Sequence, residues 1–175
     1  MDNFGQRIAV VRGASGPQVQ DVFRASAARW RHSVRLAGII AEDHGLADRA
    51  CSGGFLRNVA SKERFSIFQD LGPGSTACHL DATGALTAAD AVRRDIEAGC
   101  DLVLLNKFGK LEADGRGLFA AFQAALDARI PLLTTVSAAF EEPWKRLVRQ
   151  SFAILPADPD KIDAWRQAVR RVPAG

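Results

Sequence analysis

Short apolar runs that alternate with amphipathic segments constrain the fold of this chain more than any other feature. The first run, RIAVVR (residues 7–12), is rich in Val and Ile, and a glycine-bearing turn and apolar residues at helical spacing follow it. Similar runs recur as VRLAGIIAE (34–42), DLVLLN (101–106), PLLTTV (131–136) and FAILP (152–156). Strands that alternate with helices form a mainly parallel sheet flanked by helices. The sequence therefore predicts a three-layer α/β fold, in a single domain over residues 1–175.

One segment departs from this alternation. FLRNV (55–59) and RFSIFQDLG (64–72) are predicted strands on either side of a turn at residues 60–63. Two strands joined by so short a turn are antiparallel, because a parallel crossover needs a much longer connection. We therefore expect an antiparallel hairpin inserted into the parallel sheet.

Helix boundaries are predicted from capping residues. A helix is expected over residues 86–99, with Thr87 as its N-cap, Asp90 three residues later and Gly99 at its end. Another is expected to begin at Glu112 and to continue to Ile130. Shorter helices are expected over 141–150, with proline in the first turn, and over 158–172.

Composition narrows the class of partner. The 175 residues are 47% hydrophobic and 25% charged, with a net charge of +3, and the arginines are scattered rather than clustered. That pattern does not indicate a nucleic-acid groove, but it is compatible with a small anionic ligand. An odd number of cysteines, no signal-like start and no apolar stretch of about 20 residues predict a cytoplasmic protein without membrane insertion.

The turn formed by Gly13, Ala14, Ser15 and Gly16 lies between a strand and a helix. Backbone amides in such a turn, together with the helix dipole, can hold a phosphate. A working phosphate loop also needs a lysine and a Ser/Thr, and this chain has Val19 and Gln20 at those positions. The turn is therefore either a simple strand-to-helix connection or a site that binds an anion through backbone amides alone.

Asn106 and Lys107 follow the DLVLLN strand, where a nucleotide hydrolase needs acids for magnesium or for orienting water. Because ligands bind beyond the carboxyl ends of parallel strands, Lys107 could replace the missing loop lysine from across the crevice. Alternatively, Lys107 pairs with Glu112 or Asp114, or is simply exposed. Both residues are candidate ligand-binding residues.

Two further candidates lie in glycine-bearing loops. Arg116, between two glycines, could bind an oxyanion bidentately, or it could be a surface arginine at a flexible helix start. The loop GPGSTACHLD (72–81) brings together Cys78, His79 and Asp81. A Cys–His nucleophile or a metal site matches this spacing poorly. In the simpler alternative Cys78 packs inward and Asp81 caps a turn or helix.

The order of these segments resembles that of the THEP-type nucleoside-triphosphatases, which are related to P-loop hydrolases. LAGIIAED (36–43), GGFLRNVASKERFSIFQDLG (53–72) and LLNKFGKLE (104–112) follow the same order, with NKFGKLE where those enzymes have a DEIGxME pattern. The chain is more similar still to a bacterial domain-of-unknown-function family of that superfamily, through CHLD (78–81), DLVLLNKFGKLEADGRG (101–117) and IPLLTTV (130–136). The resemblance implies a P-loop-NTPase-like fold, and the genes of that family often lie beside molybdate-transport genes.

These observations predict a degenerate P-loop-NTPase-like protein that binds an oxyanion or a nucleotide phosphate in the crevice. The predicted ligand-binding residues are Gly13, Ala14, Ser15, Gly16, Asn106, Lys107, Arg116, Cys78 and Asp81. The gene setting of the family suggests molybdate as the ligand and an accessory role in molybdenum metabolism, although the residues themselves do not distinguish molybdate from phosphate. Without the loop lysine, the hydroxyl and the acids, standard magnesium-dependent hydrolysis is not expected. The alternatives are a divergent nucleoside-triphosphatase or phosphotransferase with Asp81 or Glu42 as base, and a non-catalytic scaffold that acts through a partner surface and could form a homo-oligomer.

Overall fold

The computed structural model describes residues 6–43, 45, 53–67 and 82–170. Within these residues, seven strands form one sheet in the order β4-β3-β2-β5-β6-β1-β7. The strands are β1 (Ile8–Arg12), β2 (Leu36–Asp43), β3 (Gly53–Asn58), β4 (Arg64–Ser66), β5 (Leu102–Leu105), β6 (Leu132–Thr135) and β7 (Ala153–Pro156). The helices are α1 (Gly16–Trp30), α2 (Ala82–Ala98), α3 (Lys110–Ala113), α4 (Phe119–Asp127), α5 (Glu141–Val148) and α6 (Pro159–Arg170).

Five neighbouring strands of the sheet are parallel to one another: β2, β5, β6, β1 and β7. Successive residues of a strand face opposite sides of the sheet, and two separate cores result. One contains Phe23 and Trp30 of α1 with Trp165 of α6, and the other contains residues of α2, α4 and α5, such as Phe122 and Trp144. The predicted three-layer, mainly parallel α/β fold is confirmed.

The predicted hairpin is also confirmed, as β3 and β4, which extend the sheet antiparallel to β2. Its turn is held by Asn58, whose side-chain oxygen accepts hydrogen bonds from the backbone amides of Ala60 and Ser61 at 2.8 and 3.0 Å. The second strand was expected to continue to residue 72, but β4 ends at Ser66. Residues 68–72 of the prediction lie outside the described residues.

Two predicted helix starts were wrong. Helix α2 begins at Ala82, so Thr87 is an interior residue whose hydroxyl donates to the Thr83 carbonyl oxygen at 2.9 Å. A threonine can make this bond in mid-helix as readily as it caps a helix end, so its presence did not locate the boundary. The residues expected to form one helix from Glu112 are divided between α3 and α4.

The break between α3 and α4 follows from backbone conformation. Gly115 and Gly117 adopt positive φ values of 76° and 59°, which a right-handed helix cannot contain.

Among the described residues, no helix has both the length and the apolar character that a membrane span requires.

Candidate functional site

A pocket of about 300 Å³ lies beside the carboxyl end of β5 and against Leu56 of the antiparallel strand β3, on the side of the sheet that α2 covers. We call it the edge pocket. Its lining residues are Leu56, Ile67, Ala85, Asn106, Lys107, Gly109, Lys110, Leu111, Glu112 and Leu118. Ligands of open parallel sheets bind in this position relative to the strands, so the edge pocket is the candidate functional site.

The cationic residues of the edge pocket are exposed, whereas several apolar ones are buried. Lys107 and Lys110 are both exposed, and a Cβ atom built on Gly109 would lie 3.3 Å from Lys107 Cε, so the Lys107 stem passes over this glycine. Leu56 and Leu118, by contrast, are only 3% and 2% exposed. The site therefore has a positively charged rim and an apolar interior.

Among the described lining residues of the pocket, Glu112 is the one carboxylate. It is buried, and it accepts a hydrogen bond from the backbone amide of Gly109 on Oε2 and another from that of Leu118 on Oε1, each at 3.0 Å. These two bonds tie the segment after β5 to the start of α4. The carboxylate thus holds the loop that carries Lys107 and Lys110, a role that the sequence reasoning did not assign to it.

Asn106, at the end of β5, has a side-chain oxygen that is buried without a hydrogen-bond partner among the described residues. A buried polar atom left unpaired costs roughly 1–3 kcal/mol, so such atoms are uncommon outside sites that take a ligand or an ordered water. Its backbone carbonyl oxygen, in contrast, accepts a hydrogen bond from Gln20 Nε2 at 3.1 Å.

The predicted anion-binding turn, Gly13 to Gly16, lies at the end of β1 and is largely exposed. Ser15 and Gln18 form a capping box, in which the Ser15 Oγ accepts from the Gln18 amide at 3.3 Å and the Gln18 Oε1 accepts from the Ser15 amide at 3.0 Å. Two amides at the helix start are therefore already bonded within the protein. These are donors that an anion-binding loop would offer to its ligand.

The two positions where a phosphate loop has its lysine and its hydroxyl have other roles here. Val19 is 2% exposed and packs in the core beneath α1. Gln20 bonds Asn106 as described and also accepts from the Ala41 amide at 3.2 Å, so it links α1 to the carboxyl ends of β2 and β5. The sequence comparison identified Gln20 only as the position where a phosphate loop has its hydroxyl, and the cross-link is visible only in the tertiary structure.

The structure brings only some of the predicted site residues together. Asn106 and Lys107 line the edge pocket, but residues Gly13 to Gly16 are not among its lining residues. β6 lies between β5 and β1 in the sheet, which separates the two strand ends by roughly 10 Å. Arg116 is exposed and also absent from the pocket lining, and Cys78 and Asp81 lie outside the described residues.

Glu42, at the carboxyl end of β2, was considered as a base for a divergent enzyme. Its carboxylate is bonded by the Arg57 guanidinium through both oxygens and by Arg64 Nε at 3.1 Å. The hydrogen bond from Arg57 holds the pKa of Glu42 below its ordinary value. A carboxylate so stabilised in its charged form is a weak proton acceptor at this position.

The described residues contain no group of three or more His, Cys, Asp or Glu side chains that could hold a metal ion. Asn106 has an amide where a metal-binding acid would be, and the Glu112 carboxylate is already bonded by two amides. The described lining residues of the edge pocket therefore offer hydrogen bonding and positive charge.

Comparison with known proteins gives three findings. A family model described as "Protein of unknown function (DUF2478)" matches residues 8–165. The chain is also 34% identical over 135 residues to the molybdenum import ATP-binding protein ModC 2 of Bradyrhizobium diazoefficiens. That alignment spans 77% of this chain and 15% of the relative, so the chain corresponds to a small part of that protein. No solved structure matches the chain significantly.

Proposed function

The chain belongs to the DUF2478 family, and we propose that it binds a small anion in the edge pocket, as a P-loop-NTPase-like protein without the hydrolytic groups. The observation that carries this proposal is the pair of exposed cations, Lys107 and Lys110, on the rim of a pocket at the carboxyl end of β5. In the described residues, the only acid lining this pocket is Glu112.

The electrostatics of the pocket favour an anion. Two lysines oppose one carboxylate, and that carboxylate is buried and accepts two backbone hydrogen bonds. The exposed ammonium groups therefore contribute a net positive potential at the mouth of the pocket. Charge-assisted hydrogen bonds from lysine to an anionic oxygen are roughly twice as strong as neutral ones.

Hydrolysis of a nucleoside triphosphate is not part of the proposal. Replacing the buried Val19 by a catalytic lysine would put a charge into the core beneath α1. Gln20 is bonded to the backbone of two strands rather than free to orient a metal. The positions that normally stabilise phosphoryl transfer are thus used for packing and cross-linking.

A link to molybdenum metabolism is the finer part of the proposal. Its support is the similarity to a protein whose name describes a molybdenum import ATP-binding protein. The aligned region is only 15% of that relative, which is compatible with an accessory module that works beside an ATP-binding subunit. Molybdate and tungstate are therefore included among the ligands to be tested.

Isothermal titration calorimetry of the full chain with molybdate, tungstate, phosphate and ATP tests the proposal. We expect at least one of these anions to bind, and Lys107→Ala to weaken that binding about tenfold, which corresponds to one lost charge-assisted contact. Lys161→Ala is the matched control, because Lys161 is also exposed and lies on α6, on the other face of the sheet. Unchanged affinity in Lys107→Ala, or an equal loss in both variants, would rule out the edge pocket as the anion site.

A further inference from the structure

We propose that the anion bound in the edge pocket is organic, with an apolar body of one or two aromatic rings and a phosphate or carboxylate group. This inference rests on the proposed anion-binding function and narrows it to a class of ligand. It is carried by the volume of the pocket, by its apolar walls and by the separation of its charged and apolar residues.

The volume exceeds what an inorganic oxyanion requires. The pocket measures about 300 Å³, whereas a cavity of about 150 Å³ accommodates benzene. Pockets for organic ligands begin at about 300 Å³. A tetrahedral oxyanion would leave most of this space to water in contact with apolar walls.

Half of the lining residues are apolar side chains that surround the interior: Leu56, Ile67, Ala85, Leu111 and Leu118. A bare dianion gains nothing from such walls and loses hydration beside them. An aromatic body gains roughly 25 cal/mol for each Å² of apolar surface that it removes from water. The walls thus favour a ligand with an apolar part.

The positions of the charges indicate how such a ligand lies. Lys107 and Lys110 are exposed at the rim, whereas the Glu112 carboxylate is buried. A negative group placed deep in the pocket would approach Glu112 and be repelled, but at the rim it would meet the two ammonium groups. The anionic group therefore lies at the mouth and the ring body in the interior.

Binding of three probes distinguishes this ligand class from simple anion binding. The probes are inorganic phosphate, phenyl phosphate and 1-naphthyl phosphate, titrated into the full-length protein by calorimetry. We expect each aryl phosphate to bind at least about tenfold more tightly than inorganic phosphate. Lys107→Ala should weaken the binding of all three probes, because the charged group is common to them.

Two variants test the apolar interior separately from the charge. Ala85→Leu fills the pocket, and Leu111→Ala, at a half-exposed position, removes part of its wall. Both should remove most of the advantage of the aryl phosphates over inorganic phosphate, because that advantage depends on the apolar walls. Circular dichroism confirms that each variant is folded.

The outcomes separate this inference from the function on which it rests. If phosphate or molybdate binds with dependence on Lys107 but the aryl phosphates bind no more tightly than phosphate, the organic-ligand inference is overturned and anion binding stands. If none of the anions binds, both are overturned. An aryl advantage that survives both Ala85→Leu and Leu111→Ala would place the ring body elsewhere and also overturn the inference.

Discussion

At the scale of single residues, the segment from Lys107 to Gly117 has its shape because Glu112 is bonded by two backbone amides. Gly117 lies so close to this carboxylate that a Cβ atom built on it would be 2.5 Å from Glu112 Oε1 and 2.9 Å from Leu111 Cβ. The NKFGKLEADGRG stretch, which the sequence resemblance singled out, therefore includes residues that build the loop as well as residues that can contact a ligand.

Gly117→Ala tests this structural role. The left-handed φ of 59° and the clash with Glu112 and Leu111 should together lower the free energy of unfolding by about 2–4 kcal/mol. Gly115→Ala is the control, because Gly115 also has a positive φ, of 76°, but a Cβ atom built on it would meet no atom within 4 Å. Gly115→Ala should lower the free energy of unfolding by only about 1 kcal/mol. Urea unfolding measures the stability of both variants, and an equal loss of stability in the two would contradict the close packing around Gly117.

At the scale of elements, the hairpin is joined to the parallel sheet by charge as well as by backbone hydrogen bonds. Glu42 of β2 pairs with Arg57 of β3 and Arg64 of β4, so one carboxylate connects three adjacent strands. A register shift occurs between Glu42 and Asp43, where strand bonding becomes irregular. The ion-pair cluster thus lies beside an irregularity in the pairing of β2 with β3.

Glu42→Gln should show this stabilisation as a pH dependence. Since the pKa of Glu42 is lowered in the folded state, its contribution is complete above the unfolded value of about 4.3 and is lost as the pH falls through the lower folded value. We expect the variant to be about 1 kcal/mol less stable than the wild type at neutral pH.

The difference between the two proteins should shrink towards zero near pH 3, in urea unfolding curves recorded at both pH values. Glu97→Gln provides the comparison, because Glu97 pairs with Arg93 on the exposed surface of α2, where an ion pair contributes little. A Glu42→Gln difference that is the same at both pH values would show that the charge of Glu42 is not the stabilising feature.

At the scale of the whole molecule, β2 and β5 approach each other closely at Gly38. This residue has a φ of 141°, and a Cβ atom built on it would lie 1.8 Å from the backbone carbonyl oxygen of Leu104. β2 connects the hairpin to the rest of the sheet through β5. The close contact at Gly38 is therefore needed to join the hairpin strands and β2 to the rest of the seven-stranded sheet.

Gly38→Ala should accordingly destabilise the whole fold rather than one element. The Leu104 backbone cannot move aside as a flexible side chain can, so we expect the free energy of unfolding to fall by more than about 4 kcal/mol. The variant should be insoluble or should show no cooperative thermal transition. Gly16→Ala should change stability by less than about 1 kcal/mol, because its added Cβ would meet no atom within 4 Å and its φ is not positive. A Gly38→Ala protein with near-wild-type unfolding would contradict this account.

The layers of the fold could be predicted from the amino-acid sequence without any structure. Each buried strand is a short apolar run rich in Val, Ile or Leu, and each long helix repeats apolar residues at helical spacing, so these patterns indicated a mainly parallel sheet with helices. The short turn at residues 60–63 indicated the antiparallel hairpin. The apolar pattern also located Asn106 and Lys107 at the carboxyl edge of β5, because the end of a buried strand is visible as the end of an apolar run.

Which of the candidate residues share a pocket, in contrast, depended on tertiary packing. Strand order is set by packing between distant segments, and the placement of β6 between β1 and β5 put the Gly13 to Gly16 turn outside the lining of the edge pocket. The same long-range packing assigned Gln20 to its cross-link and brought Leu56 and Ala85 together as pocket walls. Sequence periodicity reports the local environment of each segment, but contacts between segments far apart in the chain depend on how the whole sheet assembles.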